Sequence, residues 1–224
     1  MLHPFILLRP HANELDVALL TKVDDLHDDK GVARYMHADR IVTLHQVHGA
    51  RTSIVRTPQR RTEDADGTIT DTADLTLALR IADCQAFLIY APTHRVVGLL
   101  HAGWRGLLAG AIPSFFATLQ DTFGIDGGDV SVCVAPSLCL HCSEFTDPAG
   151  ELPGIDPSFF HGRLVDLRGI ADHQLHAAGV ASDRIERHAD CTKCNPARYW
   201  TYRGGDAKEV REGYENVLTA RLLH

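Results

Sequence analysis

Along most of the chain, apolar residues occur in short continuous runs separated by polar residues, glycine and proline. Runs that lack a helical period are typical of strands buried on both faces of a sheet. The pattern predicts strands over residues 4–8, 16–21, 41–47, 52–56, 75–81, 84–90, 95–101, 130–135, 163–167 and 215–223. Helices are predicted over residues 105–123, with an irregularity at Pro113, and over 168–178, ended by Gly179.

The order of these elements indicates the fold class. Strands predominate and do not alternate regularly with helices, which favours an α+β fold over a doubly wound α/β fold. The chain contains no internal repeat, low-complexity tract or interdomain linker.

Composition and charge exclude several classes of protein. The net charge is −7 and the lysines and arginines are scattered, so the basic patch of a nucleic-acid-binding protein is missing. No apolar run approaches the roughly 20 residues of a membrane span, and the N-terminus lacks the basic segment of a signal peptide. We therefore expect a cytoplasmic protein that binds neither nucleic acid nor membranes. In that compartment its six cysteines and 14 histidines favour metal binding or catalysis over disulfides.

Two predicted strands joined by a short turn carry Cys84 and His101. A four-residue turn over residues 91–94 pairs Tyr90 with Arg95, and this register places Cys84 directly opposite His101 in an antiparallel hairpin. Their Cβ atoms would then lie about 5 Å apart. A one-residue shift of register would move the two side chains to opposite faces. If the register holds, the thiol and the imidazole can share a metal ion or act as nucleophile and base.

A third residue with a metal-binding side chain, His48, ends another predicted strand and is followed by Gly49. Three protein ligands with an open fourth position describe a catalytic zinc site. Taken singly, Cys84 is also consistent with a small buried core residue, and each histidine with a hydrogen-bonded core group. The combination of His48, Cys84 and His101 at strand ends favours a metal site.

Arg105 lies at the start of the predicted helix over residues 105–123, in the segment HAGWRG. Free backbone N–H groups at a helix start favour an anion, and a guanidinium there strengthens the preference. We therefore expect a phosphate or carboxylate subsite at Arg105. Two further acidic positions receive structural interpretations: Asp66, followed by Gly67, indicates a turn before a strand, and Asp83 a cap on the backbone.

Two C-x-x-C pairs, Cys139 with Cys142 and Cys191 with Cys194, occur in the second half of the chain. Four thiolates in this form can make a structural zinc site, although the pairs lie farther apart than in compact zinc ribbons. The other interpretation is that these cysteines are ordinary core residues. The sequence leaves both interpretations open.

Several motifs carry a resemblance to a known family. QVHG at 46–49, ADG at 65–67, ADC at 82–84 and HAGWRG at 101–106 resemble the signature of the YfiH, or laccase-domain, family. VAPSLCLHCSEF, LVDL and CTKCNPARYWTYR resemble its later motifs, although Gly204 follows Arg203 where a second arginine is common. The resemblance implies one domain over residues 1–224, built as a mixed β-sheet sandwich with flanking helices. It also implies that His48, Cys84 and His101 hold a catalytic Zn²⁺.

The same resemblance implies the activity. The family's enzymes are described as purine nucleoside phosphorylases acting on adenosine, inosine and methylthioadenosine, with adenosine deaminase activity. Our leading hypothesis is a zinc enzyme of this kind, which uses purine nucleosides and inorganic phosphate and holds the phosphate with Arg105. A peptidoglycan editing factor acting on UDP-MurNAc precursors, another branch of the family, is the first alternative.

Three further alternatives remain. Two histidines and a cysteine also form a blue-copper set, as in a copper-dependent polyphenol oxidase. Against this, neither Met1 nor Met36 is an evident axial ligand, and no His-x-His motif supports a multicopper cluster. A metal-free cysteine hydrolase would use Cys84 as nucleophile and His101 as base. The last alternative is a binding module without enzymatic activity, and the oligomeric state is open.

Overall fold

Two β-sheets packed face to face form the centre of the molecule. The computed structural model describes residues 4–224, and its strands are β1 (Leu15–Leu20), β2 (Ile41–His45), β3 (Thr52–Ile54), β4 (Gln59–Asp64), β5 (Gly67–Thr70), β6 (Thr76–Ile81), β7 (Gln85–Ala91), β8 (Val96–Ala102), β9 (Ser131–Val134), β10 (Phe160–His161), β11 (Leu164–Val165), β12 (Ile185–Arg187) and β13 (Asn216–Leu222). The helices are α1 (Asp29–Tyr35), α2 (Trp104–Leu108), α3 (Ala111–Phe123), α4 (Pro148–Glu151), α5 (Leu167–Ala177) and α6 (Ala207–Arg211).

Both large sheets mix parallel and antiparallel pairs. The first has the strand order β1-β13-β6-β2-β4, and the second has the order β12-β9-β7-β8-β5-β3. In the first sheet β2 runs parallel to β4 and β6, and in the second β3 runs parallel to β5 and β12 to β9. The remaining pairs of these two sheets are antiparallel. The expected α+β class, with mixed sheets and flanking helices, is confirmed.

The core is layered because the central strands are apolar on both faces. Alternate residues of β7 show this: Leu88 and Tyr90 pack between the sheets, whereas Phe87 and Ile89 pack under the helices. The layer between the sheets joins β6 and β13 of the first sheet to β7 and β8 of the second. Helices α3 and α5 cover the outer face of the second sheet, and α1 covers part of the first. Successive residues of one strand therefore face different layers.

The β7–β8 hairpin has a different register from the predicted one. Ala91 pairs with Val96, and His101 pairs with Ala86 rather than with Cys84. The turn spans residues 92–95, because Pro92 suits the second position of a type I turn and Arg95 takes a positive φ of 52°. The turn therefore lies one residue later in the chain than predicted. As a result, each residue of β8 pairs with a residue of β7 two positions away from the predicted partner.

Other predicted elements are corrected as follows. Residues 4–8 form a turn rather than a strand, and residues 163–167 shorten to the two-residue β11. The helix predicted over residues 105–123 is two helices, divided at Gly110, whose φ is +76°. Pro113 lies in the first turn of α3, where its missing N–H costs no helical hydrogen bond. Helices α1, α4 and α6 and strands β4, β5, β10 and β12 were not predicted.

No helix within residues 4–224 is long and apolar enough to cross a membrane.

Candidate functional site

The three candidate metal ligands meet at one end of the sandwich. His101 is the second-to-last residue of β8, Cys84 directly precedes β7, and His48 lies in the loop after β2. One ligand atom from each residue lies within 4.8 Å of those of the other two. The grouping predicted from the sequence is therefore present in the fold.

The corrected register explains why Cys84 and His101 still meet. A shift of two in the pairing keeps both side chains on the same face of the sheet, so Cys84 becomes a diagonal neighbour of His101. On both strands this face is the one that packs between the two sheets. The pair therefore lies at the open end of the layer between the sheets.

Asp66 holds His101 and the loop of His48 in place through hydrogen bonds. The interpretation of Asp66 as a turn residue did not predict this role. Its side chain is fully buried. One carboxylate oxygen accepts hydrogen bonds from Nδ1 of His101 at 2.8 Å and from the backbone N–H of His48 at 3.0 Å. The other oxygen accepts from the backbone N–H groups of Val47 at 3.3 Å and Gly49 at 2.7 Å. Since Nδ1 of His101 carries the proton that is hydrogen-bonded to Asp66, the second ring nitrogen is left free for a metal.

The same carboxylate holds the loop that carries His48. His48 has a φ of 59°, which is uncommon for a residue with a side chain. Its backbone N–H and that of Gly49 point at Asp66, and its ring lies edge-on to that of His101, with the centroids 4.8 Å apart. The ADG and QVHG segments are thus joined by the Asp66 side chain.

Cys84 and His101 shift each other's protonation. Burial raises the pKa of the Cys84 thiol, but the charge of His101 and hydrogen bonds with both histidines outweigh burial and lower it to about 6. Burial lowers the pKa of His101, whereas the Cys84 thiolate and the hydrogen bond to Asp66 raise it to about 10. Without a metal the two residues therefore form a thiolate–imidazolium pair. The thiolate is the form of cysteine that binds metals.

Gly103 leaves room for the Cys84 sulfur. A Cβ atom at position 103 would lie 2.5 Å from Sγ of Cys84 and 3.5 Å from the His48 ring. The first distance is far below a van der Waals contact, and the HAGWRG segment can therefore pass the ligands only with glycine at this position.

We expect Gly103→Ala to weaken metal binding, because the added methyl group displaces the Cys84 sulfur. The metal dissociation constant should rise by about tenfold or more, comparable to the loss of a group that orients a ligand. Competition with a chromophoric chelator measures this constant. Gly128→Ala is the matched control, because a Cβ atom there meets nothing within 4 Å. Unchanged affinity in Gly103→Ala would show that the sulfur position is not critical.

A cavity of about 620 Å³ lies beside the three candidate ligands, which form part of its wall. Its charged lining among the described residues, apart from histidines, consists of Arg61, Arg80, Arg105, Arg203, Arg211, Asp83 and Glu215. Arginines outnumber carboxylates in this lining, so the cavity favours a negatively charged ligand.

Arg105 is in the position predicted for it, at the start of a helix beside the candidate ligands. Its guanidinium stacks on the Trp104 ring, 4.1 Å from the centroid, and Trp104 in turn contacts Phe145 edge to face. Arg61 and Arg80 both pair with Asp29. Arg105, by contrast, has no carboxylate partner within residues 4–224. The aromatic stack holds this arginine in place while its N–H groups remain available to an anion.

The two carboxylates of the cavity have different roles. Asp83 accepts hydrogen bonds from the hydroxyls of Thr192 and Thr201, both at 2.6 Å, and from the backbone N–H of Arg203 at 2.7 Å. It therefore anchors a distant segment, which is more than the expected cap on the backbone. Burial raises the pKa of Glu215, although the nearby arginines oppose the shift. A carboxyl group of this kind can exchange a proton with a ligand.

Glu215 was not singled out from the sequence, since nothing near it in the chain marks a site. The signal for Asp66 and Asp83 was stronger, because they belong to the ADG and ADC motifs, whereas Glu215 belongs to none of the motifs. The hydrogen-bond partners of the two aspartates come from remote segments, so the sequence alone does not identify them.

The donor set fits a metal ion. A thiolate and two imidazoles suit zinc or copper, and the grouping of their ligand atoms is tight enough for one ion. A blue-copper centre would need a weak axial ligand, but Met36 is buried against α1, its sulfur contacting the Thr219 hydroxyl at 3.8 Å. Met1 lies outside the described residues. No methionine of the described chain lines the cavity. The four cysteines of the C-x-x-C pairs form a second group that could bind a metal.

The chain is similar to a family of known proteins over most of its length. A family model described as multi-copper polyphenol oxidoreductase laccase matches residues 27–213. The purine nucleoside phosphorylase YlmD of Geobacillus stearothermophilus is 31% identical over 185 residues, covering 74% of this chain and 67% of that protein.

Solved structures agree with this match. The crystal structure of YlmD from Geobacillus stearothermophilus has a TM-score of 0.76 at 27% identity, covering 86% of this chain and 78% of that chain. The hypothetical protein YfiH of Bacillus licheniformis has a TM-score of 0.75 at 24% identity, covering 87% and 79%, and shares the fold. The resemblance noted in the four sequence motifs is thus confirmed, and the chain belongs to the YfiH, or laccase-domain, family.

Proposed function

We propose that the protein is a zinc-dependent purine nucleoside phosphorylase that cleaves adenosine, inosine and methylthioadenosine, and that it also deaminates adenosine. The relatives named purine nucleoside phosphorylase support the reaction class. One observation carries the proposal: a His/Cys/His donor group and an arginine without a carboxylate partner share one cavity. We assign the reaction to the cytoplasm, where Cys84 stays reduced.

His48, Cys84 and His101 would hold the zinc ion. When bound, zinc supplies a Lewis acid that polarises a substrate oxygen or activates water. The chain contributes the arrangement of the donors: Asp66 fixes the His101 ring and the His48 loop, and Gly103 leaves space for the sulfur. A donor set that is fixed before the substrate arrives needs little rearrangement during the reaction.

Arg105 would bind the phosphate. In phosphorolysis a phosphate oxygen attacks the anomeric carbon of the ribose, the glycosidic bond breaks, and the purine leaves with a proton. The attacking group carries charge of about −1.5 to −2 near pH 7, so it needs fixed positive donors in a site from which water is excluded. The stacked guanidinium of Arg105 provides such donors, and Arg203 and Arg211 in the same wall add positive potential.

The size and lining of the cavity suit a nucleoside beside that phosphate. Ligand cavities of about 300–1,000 Å³ hold molecules of this size, and this cavity has about 620 Å³. Trp104 and Tyr202 bring aromatic rings to its wall, and Gln46 and Gln85 bring amides. Aromatic faces can stack on a purine, whereas each amide already exchanges two hydrogen bonds with the protein and shapes the wall.

We expect Arg105→Ala to lower phosphorolysis of inosine by about 30-fold to 1,000-fold in kcat/KM for phosphate. Charge-assisted contacts to a reacting group contribute about 2–4 kcal/mol, and each 1.36 kcal/mol is a factor of ten. Free base and ribose 1-phosphate are measured by chromatography over a range of phosphate concentrations. Adenosine deamination needs no phosphate and should fall much less in the same variant.

Arg184→Ala is the matched control, because this exposed arginine does not line the cavity. Release of base at the same rate without phosphate would identify a hydrolase and contradict the role of Arg105. If no nucleoside reacts, the assay is repeated with a UDP-MurNAc precursor. Turnover of that precursor would replace the present proposal with the editing-factor activity.

A further inference from the structure

The two C-x-x-C pairs come together although they lie far apart in the sequence. Cys139 precedes a short helical turn after β9 and Cys142 is the last residue of that turn, while Cys191 and Cys194 lie in the loop after β12. One sulfur from each of the four lies within 4.8 Å of all the others. Two measured separations are 4.0 Å, between Sγ of Cys139 and of Cys194, and 3.6 Å, between Sγ of Cys142 and of Cys194. All four are free thiols.

These separations match the dimensions of one tetrahedral metal ion. With Zn–S bonds of about 2.3 Å, the sulfurs of a tetrahedral site lie about 3.8 Å apart. Disulfide sulfurs lie about 2.05 Å apart, so the four thiols are not placed for two disulfides. A four-iron cluster has its irons at alternate corners of a cube and holds its thiolates farther apart than one ion does. The geometry therefore points to a single ion.

Packing alone does not account for this arrangement. Cys142 and Cys191 are buried and contact Leu138, as core cysteines do, but Cys194 is exposed. The backbone N–H of Cys139 donates a hydrogen bond to Sγ of Cys191 at 3.3 Å. A backbone donor of this kind favours the thiolate, which is the metal-binding form. An exposed sulfur and a stabilised thiolate are features of a ligand set rather than of an apolar core.

The cysteine cluster is linked directly to the cavity wall. The segment that follows Cys194 supplies Thr201 and Arg203, whose hydroxyl and backbone N–H donate to the Asp83 carboxylate beside Cys84. The guanidinium of Arg203 donates to the backbone carbonyls of Cys142, at 3.4 Å, and Glu144, at 2.8 Å. Arg203 therefore spans from the cysteine cluster to the cavity.

We propose that Cys139, Cys142, Cys191 and Cys194 bind one structural Zn²⁺ ion, which holds the cavity wall that carries Arg203 and Leu138 in place. The loop after β12 contains no helix or strand between residues 188 and 201. An ion that joins this loop to the segment after β9 would hold both segments in place. This second site is separate from the His48, Cys84 and His101 group, and it does not depend on which reaction the cavity performs.

The first experiment leaves all four cysteines intact. Cys84→Ala disrupts the other donor group, so zinc that remains in this variant reports on the cysteine cluster alone. We expect about one zinc per chain by mass spectrometry, and X-ray absorption should show four sulfur neighbours at about 2.3 Å. Absence of metal, iron in place of zinc, or a shell containing nitrogen or oxygen would each overturn the proposal.

The second experiment disrupts the cluster. Replacing Cys139 and Cys191 with serine should remove one zinc per chain and leave the His/Cys/His ion in place. Hydrogen exchange at the Arg203 amide should become at least about tenfold faster, because its bond to Asp83 is no longer held by the ordered loop. Cys133→Ala, which removes a buried thiol of β9 outside the cluster, is the control and should change neither quantity.

An unchanged zinc content in the double variant, or unchanged exchange at Arg203 after loss of the ion, would refute the site or its role. If the double variant does not fold, the absorption measurement on Cys84→Ala still decides whether the cluster binds zinc. The activity assay is independent of both: a protein with tetrathiolate zinc but no nucleoside turnover keeps this proposal and loses the phosphorylase assignment.

Discussion

Cys84→Ala is expected to lose one metal ion per chain and to lower nucleoside turnover by more than about a hundredfold. Catalytic zinc is usually held by three protein ligands, and removal of the thiolate leaves only two imidazoles. The loss should exceed the roughly 10–100-fold change that follows removal of a group that merely orients a ligand. Metal content is measured by mass spectrometry and turnover with inosine and phosphate.

The fold should survive this change, since Cys84 is only partly buried and lies outside the apolar layers of the core. Circular dichroism and the melting temperature check this point against Cys133→Ala, whose thiol is buried and remote from the cavity. Wild-type metal content in Cys84→Ala would contradict the assignment of the ligands. Full metal content with lost turnover would instead indicate a cysteine nucleophile, and stoichiometric copper with a strong blue absorption would indicate an oxidase.

Cys84 and His101 lie together, as expected from the sequence, because their proximity depends on side-chain parity more than on register. The turn between β7 and β8 was placed one residue too early, since Pro92 begins the loop and was expected within it. That error moves the pairing by two, and a shift of two leaves each side chain on its face. An error of one in the pairing would have separated Cys84 from His101.

Strands with apolar runs were predictable and strands with mainly polar residues were not. Strands β7 and β8 are buried along their whole length, so their apolar runs mark them clearly. Strand β4 has the sequence QRRTED and lies at a sheet edge, where its backbone pairs with β2 and the side chain of Arg61 pairs with Asp29. Such a strand has no hydrophobic period, because few of its side chains are buried. It is stabilised by its contacts with neighbouring segments, which the local sequence does not show.

The supporting residues of the site were beyond sequence reasoning for a different reason. Asp66 and Asp83 were visible as acidic residues beside strands, but their hydrogen-bond partners lie in segments remote in the chain. Asp66 reaches the loop of His48, and Asp83 reaches Thr192 and Thr201 more than a hundred residues away. Pairings of buried polar groups are set by the tertiary structure, which local patterns do not encode.

Asp66→Asn is expected to weaken both the fold and the metal site, because each carboxylate oxygen accepts two N–H donors. An amide can replace only one of the oxygens. If its NH₂ group faces Val47 and Gly49, two backbone donors lose their acceptor. If it faces His48 and His101, the backbone N–H of His48 is left unpaired, and the NH₂ group can donate to Nδ1 of His101. The imidazole proton then moves to the nitrogen that would bind the metal.

We expect the free energy of unfolding to fall by about 2–6 kcal/mol in the first orientation and by about 1–3 kcal/mol in the second, since each unsatisfied buried donor costs about 1–3 kcal/mol. Metal affinity should fall by about 10–100-fold. Urea denaturation and chelator competition measure the two effects. Asp64→Asn is the matched control in the same segment, because Asp64 is exposed and contacts only His45 among histidines, at 2.7 Å. If Asp66→Asn kept wild-type metal affinity, His101 would not depend on this carboxylate for its tautomer, and Asp66 would have only a structural role in the loop of His48.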